Sequence, residues 1–184
     1  QAIADASERA AMKKERNPYA MLTTEESLAT LKLPDGYRAE VILAEPEIRE
    51  PVLAVWDGNG RMYVAEMRSY MQDELGTGTK NLRNGRISRH EDTNGDGTLD
   101  RHTVFVDGLN LPRMILPLDD RIAVVETDST DIHSYRDTDN DGIADEKLLL
   151  FKGTAKIDAS RSVEHQDSGL FWSIDNWIYL SRGR

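Results

Sequence analysis

The sequence DTNGDGTLD at residues 92–100 is followed 45 positions later by the related sequence DTDNDGIAD at residues 137–145. Each loop carries oxygen-bearing side chains at its positions 1, 3, 5 and 9, and a glycine at position 6. A hard cation such as Ca²⁺ takes about six to eight oxygen ligands, and side chains that alternate around a glycine turn can supply several of them. The pattern therefore predicts two calcium-binding loops. The alternative interpretation is a solvated turn that holds no metal.

The predicted ligands all place an oxygen atom toward the centre of a loop. They are Asp92, Asn94, Asp96, Thr98 and Asp100 in the first loop, and Asp137, Asp139, Asp141, Ile143 and Asp145 in the second. Thr98 and Ile143 stand at position 7, where the ligand is the backbone carbonyl and the side chain is free to vary.

The sequences that flank the loops differ from those of an EF-hand. Position 12 is Thr103 in the first loop and Leu148 in the second, where an EF-hand has a bidentate Glu. The first loop lies between the strand-like sequences of residues 86–90 and 102–106, with no long helical pattern on either side. We therefore expect each loop to close a β-hairpin, with calcium in a structural role.

Short β-branched and aromatic runs, separated by Gly, Pro, Asn and Asp, continue through most of the chain and predict an all-β fold. A turn followed by such a run recurs at residues 56–64, 118–124 and 174–180. Self-similarity at a period of roughly 40–50 residues, with about four short strands per unit, is typical of propeller blades. The sequence predicts a partial β-propeller of about three blades from a six-bladed ring. Since a ring needs at least about four blades, we expect the remaining blades to come from a larger protein.

Two domains are predicted. Residues 1–33 are rich in Ala, Glu and Lys and predict an N-terminal helical arm, and residues 34–184 predict the incomplete propeller. Thr23 and Glu26 have the spacing of a capping box, which would begin a short helix that continues through Leu31.

Composition excludes several classes of function. The net charge of −10 and pI near 4.9 argue against a nucleic-acid partner, which requires clustered Lys and Arg. Cysteine is absent, so this sequence has neither a disulfide framework nor a CxxCH haem-attachment site. It also has no run of about 18 apolar residues that could span a membrane. Loops without the position-12 Glu suit millimolar calcium, and the chain begins at Gln1, so we expect a periplasmic or otherwise extracytoplasmic protein.

Three segments carry a resemblance to a known group of proteins. The sequence LPDGYRAEVILAEP at residues 33–46, the stretch at residues 56–71 and the stretch at residues 164–179 resemble the N-terminal β-propeller of predicted membrane-bound dehydrogenases of planctomycete type, and the two acidic loops follow where that group places its own. That propeller is similar to the soluble quinoprotein glucose/sorbosone dehydrogenases, and many members carry a downstream c-type haem domain with a CxxCH motif. The resemblance implies a sugar or alcohol substrate and pyrroloquinoline quinone as cofactor, with haem c only in a domain outside this sequence.

The sequence EHQDSGLFWSIDNWIY at residues 164–179 would carry the chemistry. By resemblance, His165 is the catalytic base that takes the proton from a sugar hydroxyl while hydride passes to the quinone, and Glu164 contacts the sugar. Alcohol oxidation by hydride loss needs such a proton acceptor, and imidazole titrates near neutral pH. From the residues alone, a surface histidine remains the alternative. The rival function is a non-catalytic, calcium-stabilised propeller that binds glycans or proteins, or that scaffolds an assembly.

The remaining histidines on predicted strands, His90, His102 and His133, are interpreted as solvent-facing, because imidazole prefers softer metals than calcium. The recurring aromatic residues are interpreted as core between blades; they are Trp56, Trp172, Trp177, Tyr63 and Tyr179.

Overall fold

A computed structural model describes residues 21–72, 82–153 and 166–181 of the chain. The chain divides into two compact units, with the boundary between Val41 and Ile42. The described part of the first unit contains one short helix, α1 (Thr24–Ala29). The predicted capping box is present: Glu26 N donates to Thr23 Oγ1 over 3.2 Å, and Thr23 N donates to Glu26 Oε2 over 2.8 Å. The helix ends at Ala29, earlier than predicted, and Glu25 with Glu26 places acidic charge in its first turn.

The described part of the second unit is almost entirely β-structure. Its strands are β1 (Pro51–Trp56), β2 (Met62–Glu66), β3 (Gly85–Glu91), β4 (Arg101–Leu109), β5 (Pro112–Pro117), β6 (Ile122–Glu126), β7 (Ile132–Arg136), β8 (Glu146–Phe151), β9 (Ser168–Trp172) and β10 (Ile178–Ser181).

These strands form three antiparallel sheets in chain order. The first sheet has the order β1-β2-β3-β4, the second has β5-β6-β7-β8, and β9 pairs with β10 in a two-stranded third sheet. No described sheet closes on itself. The first strands of the sheets are neighbours, since β5 contacts both β1 and β9. The predicted all-β character and the antiparallel hairpins are therefore confirmed.

The turn that recurs in sequence joins the first two strands of each sheet. In the first sheet, Asp57 Oδ1 accepts hydrogen bonds from the backbone N–H groups of Asn59 and Arg61, each 2.9 Å long. Its other oxygen pairs with Arg61 Nε at 2.6 Å. An Asp that bonds the backbone two residues further on stabilises a tight turn locally. Because the strands run up and down in sequence, these turns and the two acidic loops lie at the same end of the sheets.

The main core lies between the first and second sheets. Alternate residues of β2 and β6 contribute Tyr63, Ala65, Ile122 and Val124, which pack with Phe105 and are all less than 4% exposed. Tyr63 and Phe105 meet edge to face, with ring centroids 5.1 Å apart. On the opposite face of the first sheet, a smaller cluster consists of Met62, Val64, Leu99, Leu43 and Ile48.

Residues 38–43 form no strand, and Leu43 contributes only its side chain to the smaller cluster. Two expectations about local structure are wrong. Of the five aromatic residues expected in the core between blades, Tyr63 is buried, but Trp56, Trp172, Trp177 and Tyr179 are between 48% and 70% exposed. His90 is fully buried on β3, although His102 on β4 is exposed as expected.

Candidate metal centre

The second acidic loop brings three carboxylates together. Asp137, Asp139 and Asp141 each offer an oxygen atom, and these atoms lie within 4.8 Å of one another. Carboxylate oxygens at this spacing are the donors that a hard divalent cation prefers. The three residues are positions 1, 3 and 5 of the loop. Residues at this spacing in the sequence are therefore also close together in space. For position 9, Asp145 accepts hydrogen bonds from Thr138 N and Thr138 Oγ1, at 3.1 and 2.6 Å.

The backbone of the second loop curls around the carboxylate of Asp137. Gly142 N donates to Asp137 Oδ2 over 2.8 Å, and Asp141 N donates to Oδ1 over 3.2 Å. The curl requires positive φ angles of 63° at Asn140 and 100° at Gly142. Asn and Gly are the residues that adopt this conformation most readily, which explains their positions in the motif.

The first loop has the same internal construction. Asp92 accepts hydrogen bonds from the backbone N–H groups of Gly95 at 2.7 Å and Gly97 at 2.8 Å. These N–H groups, that of Gly97 foremost, lower the pKa of the Asp92 carboxyl below its ordinary value. Thr93 bonds to Asp100 as Thr138 does to Asp145. The difference in ligand chemistry is at position 3, where the first loop has Asn94 and the second has Asp139.

The second loop also attaches to the first sheet. Arg89 on β3 donates from Nη1 to Asp137 Oδ2 over 2.7 Å and from Nη2 to Glu91 Oε1 over 2.7 Å. The Arg89 side chain is only 1% exposed and that of Asp137 only 6%, so this ion pair is screened from water. Partial burial would raise the pKa of Asp137, but the N–H of Gly142 and the guanidinium of Arg89 outweigh it and lower the pKa.

Three contacts to β4 complete this attachment. Arg101 Nη2 donates to the carbonyl oxygen of Asp141 over 2.6 Å, and Thr103 Oγ1 donates to that of Gly142 over 3.0 Å. Ala144 N donates to the carbonyl oxygen of Phe105 over 2.9 Å. In the part of the chain that the structure describes, the hydrogen bonds of the first loop join only residues 91–100. The second loop is therefore docked on a neighbouring sheet by hydrogen bonds. Among the described residues, the first loop makes no such hydrogen bonds to a neighbouring sheet.

The predicted catalytic residues Glu164 and His165 lie outside the described residues. The next residue along the chain, Gln166, is described. Its amide pairs with Asp128 twice: Asp128 N donates to Gln166 Oε1, and Gln166 Nε2 donates to Asp128 Oδ1, each over 2.6 Å. These contacts place the start of β9 beside the β6–β7 connection, at the end of the sheets opposite to the acidic loops.

A half-buried arginine, Arg113 on β5, lies in the same region and is not identified by the sequence pattern. Its Nε donates to Thr127 Oγ1 over 3.1 Å. Burial lowers the pKa of the Arg113 guanidinium, and the charges of Asp128, Tyr70 and Asp167 oppose this effect. Tyr70, Asp128 and Asp167 therefore lie near enough to Arg113 to affect its charge. Tyr70 follows β2, Asp128 lies between β6 and β7, and Asp167 precedes β9. Because these three connections are far apart in sequence, no local sequence signal could have revealed the cluster.

None of the helices in the described residues is long and apolar enough to cross a membrane. No curated protein and no solved structure matches the chain at a significant level. One family model does match, and it covers residues 23–184, which include both acidic loops and all ten strands. The chain therefore belongs to the family described as Domain of unknown function (DUF7133).

Proposed function

We propose that this chain is a sector of a calcium-stabilised β-propeller, in which each acidic loop binds one structural Ca²⁺. The observation that carries the proposal is the convergence of Asp137, Asp139 and Asp141 in a loop whose sequence pattern independently predicts oxygen ligands. The loop carbonyls and water would complete the coordination shell, as is usual for Ca²⁺.

The propeller architecture is supported by the order of the sheets. Two four-stranded antiparallel sheets follow one another along the chain, and a third begins with β9 and β10. Their first strands are adjacent, as the inner strands of successive blades are in a propeller. The exposed apolar residues of β9 and β10, such as Phe171 and Tyr179, would be covered by the remaining blades of the same protein.

The bound ion would act by linkage. A cation that binds only the folded loop stabilises the protein by RT ln(1 + [L]/Kd), about 2.7 kcal/mol at a free concentration 100 times Kd. It would also offset the repulsion among carboxylates in a chain with a net charge of −10. Because the second loop is docked on the first sheet through Arg89, the ion in this loop would stabilise the contact between the two sheets.

Calorimetric titration of the metal-free chain with Ca²⁺ tests this proposal. We expect two bound ions and an increase in Tm, with one ion lost in Asp139→Asn/Asp141→Asn and the other lost in Asp92→Asn/Asp96→Asn. Asp35→Asn, at an exposed carboxylate outside both loops, is the matched control and should bind as wild type does. Absence of binding heat together with an unchanged Tm in excess Ca²⁺ would refute the proposal.

For activity, we propose a quinoprotein-type sugar or alcohol dehydrogenase, located outside the cytoplasm, with His165 as base and Glu164 contacting the substrate. This part rests on the resemblance, and one observation favours it: Gln166, adjacent to His165, is held beside Asp128 and the half-buried Arg113. An anionic quinone such as pyrroloquinoline quinone would accept the hydride and would need cationic side chains around it. Arg113 supplies one such cation, and further cations would come from the remaining blades. Electrons would pass on to a c-type haem domain.

The test is dye reduction by the full-length protein with the quinone and Ca²⁺, across a panel of simple sugars and alcohols. Wild type should reduce the dye and His165→Ala should lose nearly all of the rate, because the hydroxyl proton then has no acceptor. Gln166→Ala separates positioning from catalysis, since it should weaken activity while leaving the base intact. If wild type is inactive on every substrate but binds glycans or a protein partner, the non-catalytic propeller is the correct function.

A further inference from the structure

Two histidines face each other on adjacent strands of the first sheet. His90 on β3 and His102 on β4 are direct register partners, so their side chains emerge from the same face. Their Nδ1 atoms are 2.9 Å apart, and the ring centroids are separated by 5.1 Å with the planes tilted by 58°. Two imidazoles that converge through the same nitrogen are an arrangement that a single metal ion can bridge.

The inner histidine has a second partner that can fix the orientation of its ring. His90 is fully buried, and its Nε2 lies 2.9 Å from Ser88 Oγ. In the tautomer with the proton on Nε2, this nitrogen donates to Ser88 and the Nδ1 lone pair is directed at His102. A histidine that binds a metal usually donates its other N–H to such a partner, which fixes the ring and its tautomer. His102 is exposed, so its Nδ1 proton can move to Nε2, where water accepts it.

The two nitrogens are at hydrogen-bond distance, one Nδ1–H facing the other Nδ1 lone pair, and a bound ion would replace this bond with little movement of either ring. If each nitrogen lies about 2.0 Å from a metal, a spacing of 2.9 Å corresponds to an N–metal–N angle of about 90°. This is the angle between neighbouring positions of a tetragonal ion, whereas tetrahedral coordination would require roughly 3.3 Å between the nitrogens. Imidazole ligands and tetragonal geometry together favour Cu²⁺, which also has the highest affinity of the first-row divalent ions.

We propose that His90 and His102 form a Cu²⁺ site on the first sheet, separate from the acidic loops and independent of the function proposed above. His90 and His102 are the two nitrogen ligands, and water on the exposed side of His102 fills the open positions. Met62 on β2 is the register partner of His90, so the three residues occupy one row on the same face of the sheet.

The experiment is titration of the full chain with Cu²⁺ in buffer that contains excess Ca²⁺, so that the carboxylate loops are occupied by the hard cation. We expect one Cu²⁺ with an axial electron paramagnetic resonance spectrum that shows nitrogen hyperfine coupling. His102→Ala should weaken binding at least about tenfold because one of two ligands is lost, and Ser88→Ala about tenfold because the ring of His90 is no longer oriented. Zn²⁺ should bind more weakly than Cu²⁺.

His133→Ala is the matched control. His133 also lies on a strand, but its register partners are Val124 and Leu149, which cannot ligate a metal. Its Cu²⁺ affinity should equal that of wild type. In wild type, Cu²⁺ should also protect His102 from modification by diethyl pyrocarbonate, a test that needs no variant. Equal Cu²⁺ binding by wild type and His102→Ala, a spectrum without nitrogen coupling, or unprotected His102 would each overturn the proposal.

Discussion

The two acidic loops have nearly the same sequence and the same internal hydrogen bonds, but their surroundings differ. In the first loop, Asp92 is bound by backbone N–H groups of its own loop, and its side chain meets water. In the second, Asp137 is bound by the loop and also by Arg89 of the neighbouring sheet. The same motif therefore has two different settings. Both loops carry the oxygen pattern on which the calcium proposal rests, and the second loop also joins two sheets.

This difference places the position-1 carboxylate of the second loop between two positive charges, the buried guanidinium and the proposed Ca²⁺. The carboxylate has two oxygens, and Oδ2 is the one that Arg89 contacts. We therefore expect the two loops to differ in calcium affinity, although they have the same residues at positions 1, 2, 5, 6 and 9. Variants at the docking contacts can separate the contribution of the loop from that of the contact.

The largest effect is expected for Arg89→Met. This change keeps most of the side-chain volume but leaves Asp137 and Glu91 without their shared cation at 6% and 15% exposure. Removal of one partner from a buried ion pair typically costs about 3–5 kcal/mol. Urea unfolding in constant Ca²⁺ measures the change. Arg101→Met is the comparison variant: it also loses a docking contact, the hydrogen bond to the carbonyl oxygen of Asp141, but its pair with Glu91 spans 3.7 Å and its side chain is 42% exposed, so a smaller loss is expected. Equal losses in both variants would show that burial of Arg89 does not matter.

A second comparison uses one glycine from each loop, Gly142 and Gly97. Both have positive φ angles, 100° and 89°, so alanine is strained at either position. At Gly142 the new Cβ would also lie 2.9 Å from two atoms of the Thr103 side chain, whereas at Gly97 it would meet no atom within 4 Å. We expect Gly142→Ala to cost about 1–3 kcal/mol more than Gly97→Ala, because of this overpacking. Thermal unfolding of the two variants in parallel gives the difference; a difference of zero would mean that the second loop is not held against β4.

The same contrast shows what the sequence could predict. The loops, their hairpins and the turn at Asp57 follow from local patterns, since every partner lies within about ten residues. The docking contact could not be predicted, because Arg89 and Asp137 are 48 residues apart. The repeat even suggests the wrong inference: Arg89 stands three residues before the first loop, and the equivalent position before the second loop is Ser134. The burial of His90 could not be predicted for the same reason. It depends on which distant residues cover that face of β3, and the alternation of residues along a strand does not say which face is covered.

The last and smallest comparison begins with Thr103→Val, which replaces the hydroxyl on β4 by a methyl group and keeps the shape. It removes the hydrogen bond to the carbonyl oxygen of Gly142, at a cost of about 0.5–1.5 kcal/mol. The matched variant in the first loop is Thr93→Val, which removes the bond to Asp100 at a fully solvated position, where water replaces the lost donor. We expect Thr93→Val to change the free energy of unfolding less than Thr103→Val. Each variant removes one hydroxyl, that of Thr103 from β4 or that of Thr93 from the first loop, so the reverse order would mean that stability comes from closure within a loop and not from contact between the sheets.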